Sequence, residues 1–236
     1  MAPRTKRSRD ETRELMLEAG AQLVYEAFDA PQAADWAPVA HVRLTDVAAR
    51  ASEITGDGNI TTGAIYPVWA DQNAYRRDLI LHLLSPQQVR NQDMWGQFAA
   101  LLMSDDRPER VEQLAGLIAK VNFEAVTTDP YYSVMYVLMP YCGDDVLRHA
   151  LQEYIRAEQG DLSQFYRFGL LAYGRRLRNG LTEEDLARAL AALFDGLVLA
   201  KLSGRDQVEH QGLELADLLA ESVNAIVISF SEPIDS

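Results

Sequence analysis

Apolar residues recur at helical spacing along nearly the whole chain, and local capping patterns mark where helices begin. Ser8 followed by Glu11 is a capping-box pattern, which predicts a first helix from about residue 9. A second, short helix is predicted because four apolar residues fall at i, i+3, i+4 and i+7: Leu44, Val47, Ala48 and Ala51. The successive residues Gly56, Asp57 and Gly58 then predict a turn.

A third and a fourth helix follow this turn. The third is predicted to start near residue 60, with Ile65 and Trp69 one turn apart on its buried face. Pro67 should end or kink it at about Tyr66, because proline donates no helical hydrogen bond and its ring crowds the preceding turn. Asp71 is a good N-cap for the fourth helix, which is predicted to run to residue 85.

The rest of the chain repeats the helical pattern at greater length. Further helices are predicted at 88–104, 108–127, 130–141, 144–158 and 161–178, with breaks at Pro108, Pro130, Gly143 and Gly160. Thr182 with Asp185 predicts the start of another helix, and a last helix is predicted from 212 to about 229. The sequence therefore predicts an all-α fold, which we divide into domains 1–85 and 86–236.

The net charge changes along the chain. The 236 residues carry −13, from 22 Lys and Arg against 35 Asp and Glu. Taken alone, this figure argues against nucleic-acid binding, because an acidic protein repels a polyanion. However, residues 1–13 carry +3, residues 1–85 carry −3, and residues 86–236 carry −10. Any contact with DNA is therefore expected at the N-terminal segment.

Cysteine use and hydropathy indicate the compartment. Cys142 is the only cysteine, which excludes internal disulfides and predicts a reducing compartment such as the cytoplasm. The longest stretch without a charged residue, 130–143, has 14 residues, whereas a membrane-spanning helix needs roughly 20. The N-terminus is basic and then amphipathic, unlike a secretory signal. We expect a cytoplasmic protein that does not span a membrane.

Sequence motifs of catalysis are lacking. Asp145, His149 and Glu153 lie one turn apart on a predicted helix and could hold a divalent metal, although a solvated acidic face is the simpler interpretation. The sequence has no phosphate-binding loop and no nucleophile elbow, and Cys142 has no partner that marks a nucleophile. We expect neither an enzyme nor a cofactor.

The last two predicted helices are apolar over more than one face. On an acidic chain, the usual covering for such helices is a second copy of the same subunit. The residues expected at a dimer interface are Leu190, Phe194, Leu197, Leu219, Val223 and Ile226. A place at the centre of a single bundle is the alternative explanation.

Methionine and aromatic residues concentrate between 94 and 141 and again between 165 and 168. Such side chains adapt to irregular apolar shapes and suit a pocket for a lipophilic or flat molecule. The residues expected to bind a ligand are Trp95, Phe98, Met103, Phe123, Tyr132, Met135, Tyr136, Met139 and Phe168. Ordinary core packing is the alternative explanation for each of them.

Three strings within the first 85 residues carry a family resemblance. They are TRELMLEAG (12–20), LTDVAARA (44–51) and TTGAIYPVW (61–69), which fall on the short helices of a helix-turn-helix arrangement that a basic segment precedes. In these strings the chain resembles the tetracycline-repressor (TetR) family of bacterial transcription regulators. The resemblance implies a three-helix DNA-binding domain followed by a helical domain that binds a small molecule and dimerises. It also implies that this effector lowers operator affinity by shifting the spacing of two DNA-reading heads.

The residue types at the matching positions suit contacts with DNA. Hydroxyls beside a helix N-terminus reach phosphates or base edges, glycine allows the backbone close to the duplex, and alanine can touch a thymine methyl. The residues expected to contact operator DNA are Arg4, Lys6, Arg7 and Arg9 in the basic arm, Thr45 in the second helix, and Thr61, Thr62, Gly63, Ala64 and Tyr66 in the third.

The sequence also departs from the family pattern. Both loops of the helix-turn-helix region are longer than usual, Gln72 stands where the family has a lysine, and Pro67 replaces a polar residue. Two functions therefore stay open. The first is a ligand-responsive, homodimeric repressor. The second is a helical small-molecule-binding or metal-dependent protein on the same scaffold, in which DNA binding has degenerated.

Overall fold

The structure, a computed structural model, describes residues 7–29, 39, 41–56, 60–85, 96–138, 143, 145–204 and 212–234. Within these ranges the chain is almost entirely helical, which confirms the all-α prediction. The helices are α1 (Arg9–Asp29), α2 (Leu44–Thr55), a 3-10 helix (Thr62–Ala64), α3 (Gln72–Leu84), α4 (96–102), α5 (Val111–Thr128), α6 (Pro130–Leu138), α7 (Asp145–Ala172), α8 (Glu183–Leu202) and α9 (Leu215–Phe230). None of these helices is long and apolar enough to cross a membrane.

Side-chain caps fix the starts of three helices. Ser8 and Glu11 form the predicted capping box, in which the Glu11 N–H donates to Ser8 Oγ (3.1 Å) and the Ser8 N–H donates to Glu11 Oε2 (2.7 Å). The backbone hydrogen bond from Ser8 holds the pKa of the Glu11 carboxyl below its usual range. Thr182 and Asp185 make the same reciprocal pair at α8, and the Asp71 carboxylate caps α3. The predicted starts of these helices are confirmed.

Two predicted helix boundaries are wrong. Gly160 does not break a helix, because α7 runs from Asp145 to Ala172. A glycine costs about 1 kcal/mol in a helix interior, which a helix of 28 residues absorbs. The helix predicted to reach residue 178 ends at Ala172, and the chain turns at Gly174, whose φ is +63°. α2 ends at Thr55, and Gly56, the first residue of the predicted turn, is its C-cap with a φ of +63°.

Two strands of three residues, which the local sequence pattern does not predict, join residues 231–233 to the segment after α7. β1 (Arg175–Leu177) pairs antiparallel with β2 (Ser231–Pro233), so that Arg175 faces Pro233. The Arg175 guanidinium donates to Ser231 Oγ (2.9 Å) and to the Ser231 carbonyl (3.0 Å), and Ser231 is wholly buried. These bonds hold the end of α9 against the start of the α7–α8 connection.

The chain forms two compact units. The first comprises residues 1–87 and 130–151, and the second comprises residues 88–129 and 152–236. The first unit therefore contains α6 in addition to the helices predicted for the N-terminal domain. Its buried core includes Met16, Leu17, Val24, Val47, Ile65, Trp69, Tyr75, Leu79, Leu83 and Val134.

Within the first unit, α1 and α3 approach closely at Gly20. Tyr75 is wholly buried and donates its hydroxyl to the Met16 carbonyl at 2.9 Å. A Cβ at Gly20 would stand 2.0 Å from the Tyr75 hydroxyl oxygen. Burial raises the pKa of Tyr75 far above its ordinary value, so the hydroxyl remains a donor. Packing of α1 on α3 therefore requires glycine at position 20.

In the second unit, α5, α8 and α9 pack against one another. The rings of Phe123 and Phe194 meet edge-to-face at 6.2 Å. Lys120 Nζ donates to Asp217 Oδ1 at 2.6 Å, and this hydrogen bond raises the pKa of Lys120. A further cluster includes Phe98, Leu102, Leu114 and Ile118, with Phe165 and Tyr173 beside it.

We expect Gly20→Ala to lower the free energy of unfolding by about 2–3 kcal/mol, because the methyl overlaps the Tyr75 hydroxyl. In a Tyr75→Phe background, Gly20→Ala should lower the free energy of unfolding by less, because the hydroxyl oxygen that the methyl would overlap is absent. Urea unfolding followed by circular dichroism measures both effects. Gly169→Ala is the control and should be neutral or stabilising, because a methyl there meets no atom within 4 Å. Additive costs of the two substitutions would contradict this packing.

Candidate nucleic-acid interface

The predicted third helix is one turn of 3-10 helix. The Ala64 N–H donates to the Thr61 carbonyl at 2.9 Å, and the next residue repeats the i→i+3 pattern at 3.0 Å. One wider turn follows, in which the Trp69 N–H donates to the Ile65 carbonyl at 3.0 Å. Pro67 limits the helix because it has no N–H to donate. We name residues 61–69 the recognition turn.

The recognition turn points two large side chains inward and leaves the others accessible. Ile65 is wholly buried and Trp69 nearly so. The residues predicted to contact DNA are exposed or half-buried, namely Thr61, Thr62, Gly63, Ala64 and Tyr66. Tyr66 is the largest of the exposed side chains, and 60 % of this residue is exposed. A Cβ at Gly63 would meet only Thr61 Oγ1, at 3.4 Å, so the protein's own packing does not require this glycine.

The start of α2 adds a hydroxyl and a cation to the same unit. α2 packs against the 3-10 helix. Thr45 is exposed, and its hydroxyl donates to Asp46 Oδ1 at 3.2 Å. Arg43, the N-cap residue, is also exposed. Arg43 was not among the predicted contacts, although a cation directly before a predicted helix start could have identified it.

The basic arm leads into α1. Arg4 and Lys6 lie outside the described residues, and Arg7 is exposed just before the helix. Arg9 Nη2 donates to the Val68 carbonyl at 3.2 Å, so its guanidinium holds the end of the recognition turn. A contact between these cations and DNA stays a prediction.

A carboxylate in α3 joins the recognition turn to α1. Asp78 Oδ2 accepts a hydrogen bond from Trp69 Nε1 at 2.8 Å. The same oxygen accepts from Arg13 Nε and Nη2, at 3.2 and 3.1 Å. The Trp69 ring also meets Tyr75 edge-to-face at 5.0 Å. We name the three residues Arg13, Trp69 and Asp78 the Asp78 brace.

Two further contacts hold α2 in place. Gln72, which stands where the resemblance led us to expect lysine, donates from Nε2 to the Val42 carbonyl at 3.1 Å. Arg50 pairs with both carboxylate oxygens of Glu26 in α1, at 2.5 and 2.7 Å. These bonds hold the pKa of the Glu26 carboxyl below its usual range. The side chains of Gln72 and Arg50 therefore fix the position of α2.

The predicted ligand-binding residues are divided between the two units. In the first unit, Tyr132 and Tyr136 are buried. In the second, Phe98 and Phe123 are buried, whereas Met103 and Phe168 are 83 % and 63 % exposed. Trp95, Met139 and the side chain of Met135 lie outside what the structure describes. Binding of a small molecule by these residues stays a prediction.

The predicted dimer residues lie mainly inside the second unit. Leu190, Leu219 and Val223 are buried, and Phe194, Leu197 and Ile226 are half-buried. A different set of small and apolar side chains is exposed on the same helices, namely Ala192, Gly196 and Leu199 on α8, and Leu218, Ala225 and Ile228 on α9. We name these six residues the outer face. Contact between the six predicted residues and a second copy stays a prediction.

Comparison with known proteins adds evidence on the fold. No protein-family model and no curated protein sequence matches the chain. It does match the crystal structure of a protein from Mesorhizobium loti MAFF303099 that is assigned to the TetR family of transcriptional regulators. The match covers 95 % of this chain and 97 % of that chain, with a TM-score of 0.58 and 12 % sequence identity. The chain has a TetR-type fold.

The TetR-type fold confirms, at the level of architecture, the resemblance carried by the three strings in residues 12–69. Metal binding has no comparable support. Within the described ranges, no three His, Cys, Asp or Glu side chains are grouped so that they could hold a metal ion.

Proposed function

We propose that this chain is a homodimeric, DNA-binding transcriptional regulator, acting as a repressor that a lipophilic or aromatic small molecule releases from its operator. The recognition turn is the observation that carries this proposal. It buries Ile65 and Trp69 and leaves the hydroxyl-bearing residues Thr61 and Tyr66 exposed, without a charged side chain between residues 59 and 70. Such a surface offers donors to phosphates and base edges without repelling them.

The TetR-type fold supports the same proposal, because the recognition turn occupies the third-helix position of the helix-turn-helix strings. Arg7 and Arg43 are exposed in the same unit and supply positive charge for nearby phosphates. A single DNA-reading head, in which residues 1–85 carry a net charge of −3, binds DNA weakly. Two heads in one dimer, reading two half-sites, supply the affinity that one lacks.

We propose the outer face as the dimer interface. Leu199, Leu218 and Ile228 expose 49 %, 39 % and 43 % of their surfaces in the single chain. The small residues among them allow a second copy of the helices to approach closely. Association of two copies would remove this apolar surface from water.

We propose Asn122 in α5 as the polar anchor for the effector. Its Oδ1 is buried and accepts no hydrogen bond from any residue that the structure describes. Asn122 follows Leu114 and Ile118 at i+4 spacing, on the helix face that contributes to the cluster with Phe98. An aromatic molecule with an N–H or O–H donor would satisfy this oxygen.

We expect Tyr66→Phe to weaken operator binding about 5- to 10-fold, because it removes one hydroxyl donor and keeps the ring. Fluorescence anisotropy measures the affinity for duplex fragments from the region upstream of the protein's own gene, at about 50 and 200 mM salt. Affinity should fall steeply with salt, because released counterions drive binding. Tyr166→Phe in the second unit is the matched control and should bind like the unchanged protein.

The same titration separates the two functions that the sequence leaves open. If no fragment outcompetes a random duplex at physiological salt, this protein is not a sequence-specific regulator. The alternative of a small-molecule-binding protein with degenerate DNA binding would then be favoured. A Tyr166→Phe effect as large as that of Tyr66→Phe would also contradict the assignment of Tyr66.

Gly196→Arg should raise the dimer dissociation constant at least about 100-fold, because it places an unpaired charge in the middle of the proposed interface. In the single chain a Cβ at this exposed position meets no atom within 4 Å, so the subunit should still fold. Sedimentation velocity over a concentration series measures the change. Gly96→Arg, in α4, meets equally open space and is the matched control. An unchanged dimer in Gly196→Arg would exclude the outer face.

Asn122→Leu should raise the melting temperature of the effector-free protein by several degrees, because it removes a buried acceptor without a partner. It should also abolish the stabilisation that flat aromatic compounds with N–H or O–H donors give the unchanged protein in a thermal-shift screen. Gln113→Leu changes an exposed amide of the same helix and is the control. A large loss of stability in Asn122→Leu would show that the amide is part of the structural core instead.

A further inference from the structure

We propose that Asp78 is a positioning residue for the recognition turn, and that the Asp78 brace sets how well the protein distinguishes its operator from other DNA. The DNA part of this inference rests on the proposed function. The mechanical part does not, because it concerns the position of residues 61–69 in the free protein.

The recognition turn cannot hold its own position. A 3-10 helix of three residues makes too few backbone hydrogen bonds to be stable alone. Its C-terminal end is fixed instead by side chains from two other helices. Trp69 Nε1 donates to Asp78 in α3, and Arg9 in α1 donates to the Val68 carbonyl.

Asp78 suits this role because of its charge and partners. Its Oδ2 accepts from the Trp69 indole at 2.8 Å and from two nitrogens of Arg13 at 3.1 and 3.2 Å. The Arg13 guanidinium balances the carboxylate charge and orients it. Trp69 is only 4 % exposed, so water cannot readily replace Asp78 as the partner of the indole N–H. One oxygen atom thus connects α1, α3 and the recognition turn.

Movement of the recognition turn would affect one kind of DNA contact more than another. Hydrogen bonds to base edges need positions accurate to a fraction of an ångström, whereas attraction to phosphates depends on net charge at longer range. Thr61 and Tyr66 lie within eight residues of Trp69 on the same short segment. Loss of the hydrogen bond between Trp69 and Asp78 should therefore reduce sequence-specific affinity and leave non-specific affinity nearly unchanged.

Two variants loosen the brace from opposite ends. Asp78→Asn keeps the side-chain shape but removes the charge, and Trp69→Phe keeps an aromatic ring but removes the N–H donor. Asp106→Asn removes an exposed carboxylate of the second unit and is the matched control. Hydrogen–deuterium exchange on the full-length protein measures the protection of residues 61–69.

We expect both variants to speed exchange in the recognition turn about tenfold, with helices α8 and α9 unchanged. Affinity for the fragment preferred by the unchanged protein should fall about tenfold in both variants, while affinity for a scrambled duplex and the salt slope stay the same in Trp69→Phe, which keeps the net charge. If Asp78 contributed only to general stability, both variants would instead lower the affinity for both duplexes and speed exchange throughout α1, α2 and α3. That pattern, or unchanged exchange in residues 61–69, would overturn the proposal.

The two inferences fail in different ways. If the unchanged protein prefers no fragment over scrambled DNA, the proposed function is wrong and the specificity role falls with it. The exchange experiment still decides whether Asp78 positions residues 61–69. If the exchange result is as expected but the preference for the operator survives in both variants, Asp78 does not control specificity.

Discussion

Pro67 sets the constraint on which the first unit depends. Because proline interrupts the backbone hydrogen bonds, the segment at the third-helix position is a single 3-10 turn that side chains must hold in place. Ile65 and Trp69 anchor it in the core, and the bonds made by Arg9 and Asp78 fix its far end. The stability that an ordinary helix gains from its own backbone comes here from α1 and α3. The recognition turn therefore depends on the tight packing of α1 against α3.

Sequence reasoning succeeded where the determining interaction is local. The caps at Ser8 and Thr182 each involve a partner three residues away, so their patterns predict helix starts directly. Arg13 and Asp78 are 65 residues apart, and nothing around either residue links them. The pairing of β1 with β2 also joins residues that are far apart in sequence, so local patterns do not predict it either. Gly160 misled the prediction because its preference against helix is weak, and the continuous helix α7 outweighs it.

Apolar periodicity identified buried faces but did not show what covers them. Leu190, Leu219 and Val223 have strongly apolar side chains at helical spacing, and the subunit itself buries them. The outer face includes alanines and a glycine, whose weak hydropathy does not stand out in a sequence. The aromatic residues of 130–138 show a related limit. They follow Phe98 and Phe123 of the second unit closely in sequence, yet they belong to the first unit.

The pairing of β1 with β2 has a consequence for the second unit. It brings residue 233 back to residue 175, so that the chain carrying α8 and α9 forms a closed loop fastened at its base. Packing of α9 on α8 and α5 then restrains the two helices along their lengths. A loop closed in this way has little freedom left to lose when another molecule docks on it. The last strand therefore restrains α8 and α9 at their base, in addition to the packing between the helices themselves.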